Sequence, residues 1–240
     1  MIPIILGQFT YHRTILQSIQ GKWENMIRAV IFDMDGTLLD TEKLNVRFWM
    51  EAGRKNGFDI TEEDVLHIRS LDARISEKYF IDRFGETFDF HSIREDRRQL
   101  MREHVGSEGL ELKPFVKETL AFLKNREVKT AVATATGESR MRQYLDMVGI
   151  SDLLDEKICT NMVKDGKPAP DVYLYACEAI GEDPSDCIAV EDAPNGVLSA
   201  SRAGCNVVFV PDLTPLDDDL KDVVFGEISD LSGLQRFFDE

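Results

Sequence analysis

Four short apolar runs set the frame of this 240-residue chain: Ala29-Val30-Ile31-Phe32, Val128 to Thr134, Cys187-Ile188-Ala189-Val190 and Val207-Val208-Phe209-Val210. Helix-patterned segments lie among the later runs: one from Pro114 to about Arg126, then Glu138 to Val148, Asp171 to Ile180 and Asn195 to Ala203. Pro114 suits the first turn of its helix, because a helix start has no use for that N–H. Short buried strands alternating with helices predict a parallel sheet with helices on both faces. Such sheets bind ligands at the carboxyl ends of their strands.

Residues 41–110 have another texture, charged and helical without strand alternation. Helices are expected from Thr41-Glu42 through Trp49, after Thr61-Glu62-Glu63-Asp64, over Ser76 to Phe84 and over Ser92 to His104. The chain therefore divides into an α/β core (26–40 and 111–240) and a helical insertion after the first strand (41–110). Residues 1–25 stand apart in pattern, and Met26 is expected to be the natural start. A genuine amphipathic N-terminal helix carrying Ile15, Ile19 and Trp23 is the alternative.

Composition narrows the function classes. A formal net charge of −16 argues against nucleic acid and anionic membranes as partners. No run approaches the roughly 20 apolar residues needed to span a bilayer. Cys159, Cys177, Cys187 and Cys205 lack Cys-x-x-Cys spacing, sit among apolar neighbours and are expected to be buried free thiols. Together with the absence of an export signal, this predicts a cytoplasmic protein.

Polar residues follow the strands. Asp33-Met34-Asp35-Gly36-Thr37 succeeds the first run, placing two carboxylates where the chain turns into a glycine-containing loop. Such a pair suits a cation held against a nucleophilic carboxylate. Thr134 ends the second run, Lys167 stands in Gly166-Lys167-Pro168-Ala169-Pro170-Asp171, and Glu191-Asp192 ends the third. Singly these read as a turn hydroxyl, a solvated lysine and a helix cap. Gly36 fits a close backbone approach, and Asp40 is expected to cap the turn into the insertion.

The ordered set Asp33-Met34-Asp35-Gly36-Thr37, Thr134, Lys167 and Glu191-Asp192 resembles the haloacid dehalogenase-like hydrolase superfamily. Val190 to Gly196 and Gly166 to Asp171 resemble its beta-phosphoglucomutase-like and sugar-phosphate phosphatase branch. The resemblance implies a Rossmann-like parallel sheet core with an inserted helical cap. It implies Asp33 as nucleophile, Asp35 as acid and base, and Thr134 and Lys167 on the phosphoryl group. Mg2+ would be held by Asp33, the Asp35 backbone carbonyl, Asp192 and Glu191.

The implied activity is a phosphatase for a small phosphorylated metabolite, a sugar phosphate in the first place, acting as a monomer. A phosphosugar mutase is the alternative. Mutases of this branch carry a histidine where Asn45 stands and a lysine near Gly137-Glu138, so the chain is expected to have lost a cation from its second anion pocket. Leu71-Asp72-Ala73-Arg74 keeps only the arginine of the cap loop, leaving Arg74 as the cap substrate candidate, with Arg47 and Lys43 behind it. A catalytically silent binding protein on the same fold is a third reading.

Overall fold

A computed structural model describes residues 27–238; the readings made for residues 1–25 lie outside them. Six parallel strands form one sheet: β1 (Ala29–Phe32), β2 (Lys129–Thr134), β3 (Glu156–Cys159), β4 (Cys187–Glu191), β5 (Asn206–Phe209) and β6 (Gly226–Glu227). Their order is β3-β2-β1-β4-β5-β6. The order reverses beside β1, which opens a crevice at the carboxyl ends of β1, β2 and β4.

Strand alternation divides the core between two faces. Val30 and Phe32 join Val132, Ile188, Val190 and Val208 on one face, with Leu120, Leu123, Met141 and Leu145. Those four belong to α5 (Val116–Asn125) and α6 (Glu138–Met147). Ala29 and Ile31 face the other way with Ala131, Ala133, Ala189 and Phe209. There they meet Val172, Tyr173 and Ala176 of α7 (Asp171–Ile180) and Val197 and Ala200 of α8 (Pro194–Ala203). All four cysteines are buried free thiols.

Two strands go beyond the sequence reading. β3 pairs with β2 at one edge of the sheet, and β6 pairs with β5 at the other. An edge strand gains a partner on one side only, so its residues carry a weaker apolar pattern. Glu156 and Lys157 are only partly buried, and β6 has just two residues.

The insertion forms a cap of four helices: α1 (Glu42–Lys55), α2 (Glu62–Ile68), α3 (Ala73–Phe84) and α4 (Phe90–Glu108). It has its own apolar centre, with Trp49, Ile60, Val65, Phe80, Phe88, Phe90 and Ile93 buried together. The two connections to the core run side by side, with Leu39 bridged to Leu112 and the Asp40 N–H bonded to the Glu111 carbonyl at 2.9 Å. Asp40 does not cap α1, whose N-cap is Thr41. Its carboxylate instead meets Lys43 at 2.5 Å and Lys113 at 3.9 Å, tying the two connections together.

One buried acid organises the cap. Asp64 closes a capping box with Thr61 and also accepts from Tyr79 Oη at 2.7 Å and Arg83 Nε at 2.6 Å. Burial alone would raise its carboxyl, but the bonds from Thr61, Tyr79 and Arg83 outweigh burial and hold it at about 2. Its stabilisation is thus complete above the ordinary carboxylate range near pH 4 and is lost as pH falls toward 2. Asp64→Ala is expected to cost about 1–3 kcal/mol at neutral pH by stranding those donors. It should also flatten the acid limb of stability in that window. Urea unfolding of both proteins from pH 7 to pH 2 checks the magnitude and the sign.

Candidate active site

Register brings the motifs together. Phe32 pairs with both Val132 and Val190, so one residue further on Asp33 and Glu191 stand side by side. The Asp33 N–H donates to the Val190 carbonyl at 2.9 Å and seals the junction. The chain then folds back through Gly36, at φ +88°, whose N–H bonds the Leu39 carbonyl. A Cβ at Gly36 would lie 2.4 Å from Asp192 Oδ2. The glycine therefore makes the expected close approach, and the structure adds a left-handed turn that a residue with a Cβ would strain.

Asp33, Glu191 and Asp192 are buried, and ligand oxygens from all three lie within 4.8 Å of one another. Lys167 is wholly buried behind them, with Nζ 2.5 Å from Asp33 Oδ1 and 2.6 Å from Glu191 Oε1. Tyr173 Oη donates to the same Glu191 oxygen at 2.5 Å. Arg69 Nη1, from the loop after α2, stands 3.5 Å from Asp192 Oδ2, and Arg69 Nη2 donates to Thr214 Oγ1 at 2.7 Å. The second oxygens, Asp33 Oδ2 and Glu191 Oε2, are buried without a hydrogen-bond partner.

Charge at this point is unbalanced toward the negative. Burial pushes the Asp33 carboxyl well above its usual range, against the pull of Lys167. Burial and the neighbouring Asp33, Glu42 and Glu191 do the same to Asp192, against Arg69. Burial and Asp35 raise Glu42 to about 7. Among the described residues, Lys167 and Arg69 are the only cations ion-paired with these three buried carboxylates. Asp35 beside them adds a further negative charge, so the cluster leaves room for two positive charges. Two orphaned carboxylate oxygens offer them hard ligands, so the donor set fits a divalent metal ion.

Gly196 is a residue to which the sequence reading gave no role. A Cβ there would fall 2.0 Å from Glu191 Oε2. Alanine for glycine inside a helix ordinarily adds about 0.5–1 kcal/mol of stability. Gly196→Ala is expected to do the reverse, losing about 1–3 kcal/mol as the buried carboxylate is displaced. Thermal melts with and without Mg2+ check this: the variant should melt lower and gain less from the ion.

Asp35 is oriented separately. Thr41 Oγ1 donates to its Oδ1 at 2.6 Å and Thr136 Oγ1 to its Oδ2 at 2.7 Å. Thr134 ends β2 fully buried, and its hydroxyl accepts from the Thr136 N–H at 3.0 Å. Asp33, Asp35, Thr134 and Thr136 form the core side of a cavity of about 100 Å3 between core and cap. Lys167, Glu191 and Asp192 lie deeper, outside its lining.

The cap closes this cavity from the other side. The Asp72 N–H bonds the Lys167 carbonyl at 2.8 Å, and Asn195 Nδ2 bonds the carbonyls of His67 and Arg69. Arg74, the cap candidate, is not among the lining residues. It is exposed and bonds Asp72 at 3.0 Å and Asp165 at 3.1 Å, latching cap to core. Arg47 lies over the Phe48 ring and Lys43 pairs with Asp40. The cations that do line the cavity are Arg69, Arg94, Arg97 and Arg140. The lining cations thus come from positions other than the cap candidate and the Gly137-Glu138 region. On α4, Arg94 and Arg97 sit in a run with Arg98 and Arg102 that reads as a solvated charged face; only cap packing separates them.

The chain is similar to several known proteins. It is 31% identical over 186 residues to the phosphorylated carbohydrates phosphatase of Thermotoga maritima, covering 76% of this chain and 84% of that one. It is 31% identical over 183 residues to hexitol phosphatase A of Escherichia coli, covering 76% and 82%. The crystal structure of a hydrolase from Pseudomonas syringae superposes with a TM-score of 0.76 at 22% identity, covering 87% of this chain and 96% of that one. Residues 27–204 match the haloacid dehalogenase-like hydrolase family, a span that holds the acid cluster, the helical cap, strands β1 to β4 and each of the strand-end motifs. With its catalytic aspartates gathered at the carboxyl ends of a parallel sheet beneath a helical cap, this chain belongs to the haloacid dehalogenase-like hydrolases, in the sugar-phosphatase and beta-phosphoglucomutase-like branch.

Proposed function

We propose that this enzyme is a Mg2+-dependent phosphatase of small phosphorylated metabolites, sugar phosphates in the first place, working through an aspartyl-phosphate on Asp33. The observation that carries the reading is the division of labour between two acids. Asp33 is held from behind by Lys167, while Asp35, in the same cavity, is held by two hydroxyls and pairs with no lysine among the described residues.

In this mechanism an Asp33 oxygen attacks phosphorus in line, forming the O–P bond as the bond to the leaving oxygen breaks. Asp35 gives that oxygen its proton, then takes one from the water that hydrolyses the acyl phosphate. Thr134 donates to a phosphoryl oxygen, and Lys167 balances charge developing on the Asp33 side. Asp33, Asp192, Glu191 and the Asp35 carbonyl would hold Mg2+, which screens the repulsion between carboxylate and phosphate. Cap closure keeps bulk water from the site.

Asn45 favours water over a sugar hydroxyl as the final acceptor. Its amide nitrogen donates to Glu42 Oε1 at 2.9 Å and its carbonyl accepts from Arg97 at 3.0 Å. No proton-transfer group stands in that place. The names of the similar phosphatases, for phosphorylated carbohydrates and hexitols, support a sugar phosphate.

Phosphorus NMR with Mg2+, beta-glucose 1-phosphate and a trace of glucose 1,6-bisphosphate tests the reading. Inorganic phosphate should grow, and excess EDTA should stop it. Glucose 6-phosphate accumulating without free phosphate would make the enzyme a mutase.

A further inference from the structure

Three of the four cysteines meet at one place, at the amino ends of the strands and so at the opposite end of the sheet from Asp33. Cys187 opens β4, and Cys205 stands just before β5. Ile188 pairs with Asn206, so the residues before them, Cys187 and Cys205, lie side by side on neighbouring strands. Both belong to the face covered by α7, which contributes Cys177. Its Sγ lies 3.7 Å from Cys187 Sγ and 3.9 Å from Cys205 Sγ. Cys187 Sγ in turn donates to the Asp183 carbonyl at 3.2 Å. Cys159 is apart from this cluster, ending β3 among the residues of the other core face.

The cluster reaches the surface at one of its members. Cys187 and Cys177 are 0% and 1% exposed, whereas Cys205, in the turn after α8, is 8% exposed and meets a small oxidant first. The bond to Cys187 lowers the Cys177 thiol, but contact with Cys205 and burial outweigh it and push it up. Contact with Cys177 and burial raise Cys187 too. Those two therefore stay protonated until an oxidised sulfur forms beside them. The same elements lead to the active site. Tyr173, one turn before Cys177 on the buried face of α7, donates to Glu191 Oε1 at 2.5 Å, and its ring centre is 5.1 Å from Lys167 Nζ. Glu191 ends the strand that Cys187 begins.

We propose that this cluster is an oxidation site for a hydroperoxide, closing a disulfide centred on Cys177 that loosens the hold of Tyr173 on Glu191. Cys205 takes one oxygen from the peroxide and becomes a sulfenic acid, and the peroxide leaves as water or an alcohol. Cys177 Sγ then attacks the Cys205 sulfur, and its proton and the sulfenic hydroxyl leave together as water. Two thiols are thereby joined by a two-electron oxidation, and one peroxide is reduced. Cys187 can next attack Cys177, its proton passing to the released Cys205 sulfur, which moves the disulfide without further oxidant. Bonding brings sulfurs now 3.9 Å apart to about 2 Å, drawing α7 and the turn before β5 together. Tyr173 rides on α7, so the carboxylate it orients in the acid cluster is displaced. The oxidation site is independent of the phosphatase reading; only the loss of activity rests on it.

Peptide mass reads the disulfide directly. Reduced protein is treated with hydrogen peroxide, blocked with an alkylating agent and digested without reductant. A peptide pair joining Cys177 to Cys205 or to Cys187 is expected. Phosphate release should fall about 3- to 10-fold, the rise in melting temperature given by Mg2+ should shrink, and dithiothreitol should restore both. Cys177→Ala, which removes the partner both pairs share, should abolish the disulfide and the losses, while Cys159→Ala should leave them. Where Cys177→Ala does not fold, Cys205→Ala carries the test, its disulfide forming at least about tenfold more slowly. Four intact thiols, thiols lost only to sulfinic acid, or a disulfide only between chains overturns the proposal. So does an intramolecular disulfide that alters neither phosphate release nor the Mg2+ response, or a loss that persists in Cys177→Ala. Failure of the phosphatase reading shows separately, as no phosphate release by the reduced enzyme; the peptide pair and the melts then still decide.

Discussion

Asp33→Asn is expected to abolish phosphate release, by about 10^4-fold or more, while leaving the fold intact. A knocked-out nucleophile in a covalent mechanism removes the reaction path itself, so losses of that size are the rule. Asparagine keeps the shape of the side chain and retains an oxygen for the Lys167 ammonium now 2.5 Å away. Burial pushes the Asp33 carboxyl well above its usual range, which means the folded protein bears a cost in keeping it charged. The variant should consequently melt no lower than the wild type in the absence of Mg2+. A discontinuous phosphate assay and a thermal melt on the same sample decide it. Activity above about one percent, in protein free of wild-type carry-over, would falsify the nucleophile assignment.

Lys167→Met carries the second large effect, and it strikes stability as well as rate. Lys167 is wholly buried and is the cation between Asp33 and Glu191, with its Nζ 5.1 Å from the centre of the Tyr173 ring. Burial alone would lower its ammonium, yet Asp33 and Glu191 outweigh that and hold it above the ordinary lysine range. Methionine fills much of the volume but leaves two buried carboxylates without their cation. Breaking a buried pair in this way costs about 3–5 kcal/mol. Activity should fall about 10^2- to 10^3-fold through lost charge stabilisation and a misplaced Asp33.

The stability loss should respond to Mg2+. An ion bound only by the folded state stabilises it by mass action, and here it would also replace the missing positive charge. Urea unfolding with and without Mg2+ should show the variant recovering more stability from the ion than the wild type does. A variant of unchanged stability would mean that Lys167 does not neutralise this cluster. Lys167→Arg is not a mild alternative, because the larger guanidinium must fit a fully buried, fully occupied place.

Much of this enzyme was legible in its sequence because the relevant physics is local. The four central strands are short runs of buried residues, and their pattern survives without knowledge of their partners. The strand-end acids follow them directly, so Asp33, Asp35, Thr134 and Glu191-Asp192 could be placed before any register was known. Gly36 was legible as well, since a turn beside an acid pair calls for a residue without a Cβ.

Tertiary structure decided what depends on a partner far away in sequence. β3 and β6 exist as strands because β2 and β5 offer them edges; their own patterns are weak. Gly196 owes its place to Glu191, which stands where its Cβ would be. The cap arginines show the limit most plainly. Arg74 sits in the motif-like loop yet serves as an exposed latch to Asp72 and Asp165. Arg94 and Arg97, in a run of charge that reads as solvated surface, are turned into the cavity by packing on Phe90 and Trp49. The sequence by itself determined the four central strands, the cap and the strand-end acids, because strand pattern and motif order are properties of neighbours along the chain. Which arginines line the cavity was decided only by the docking of cap on core, because a charge has a partner, or lacks one, only in three dimensions.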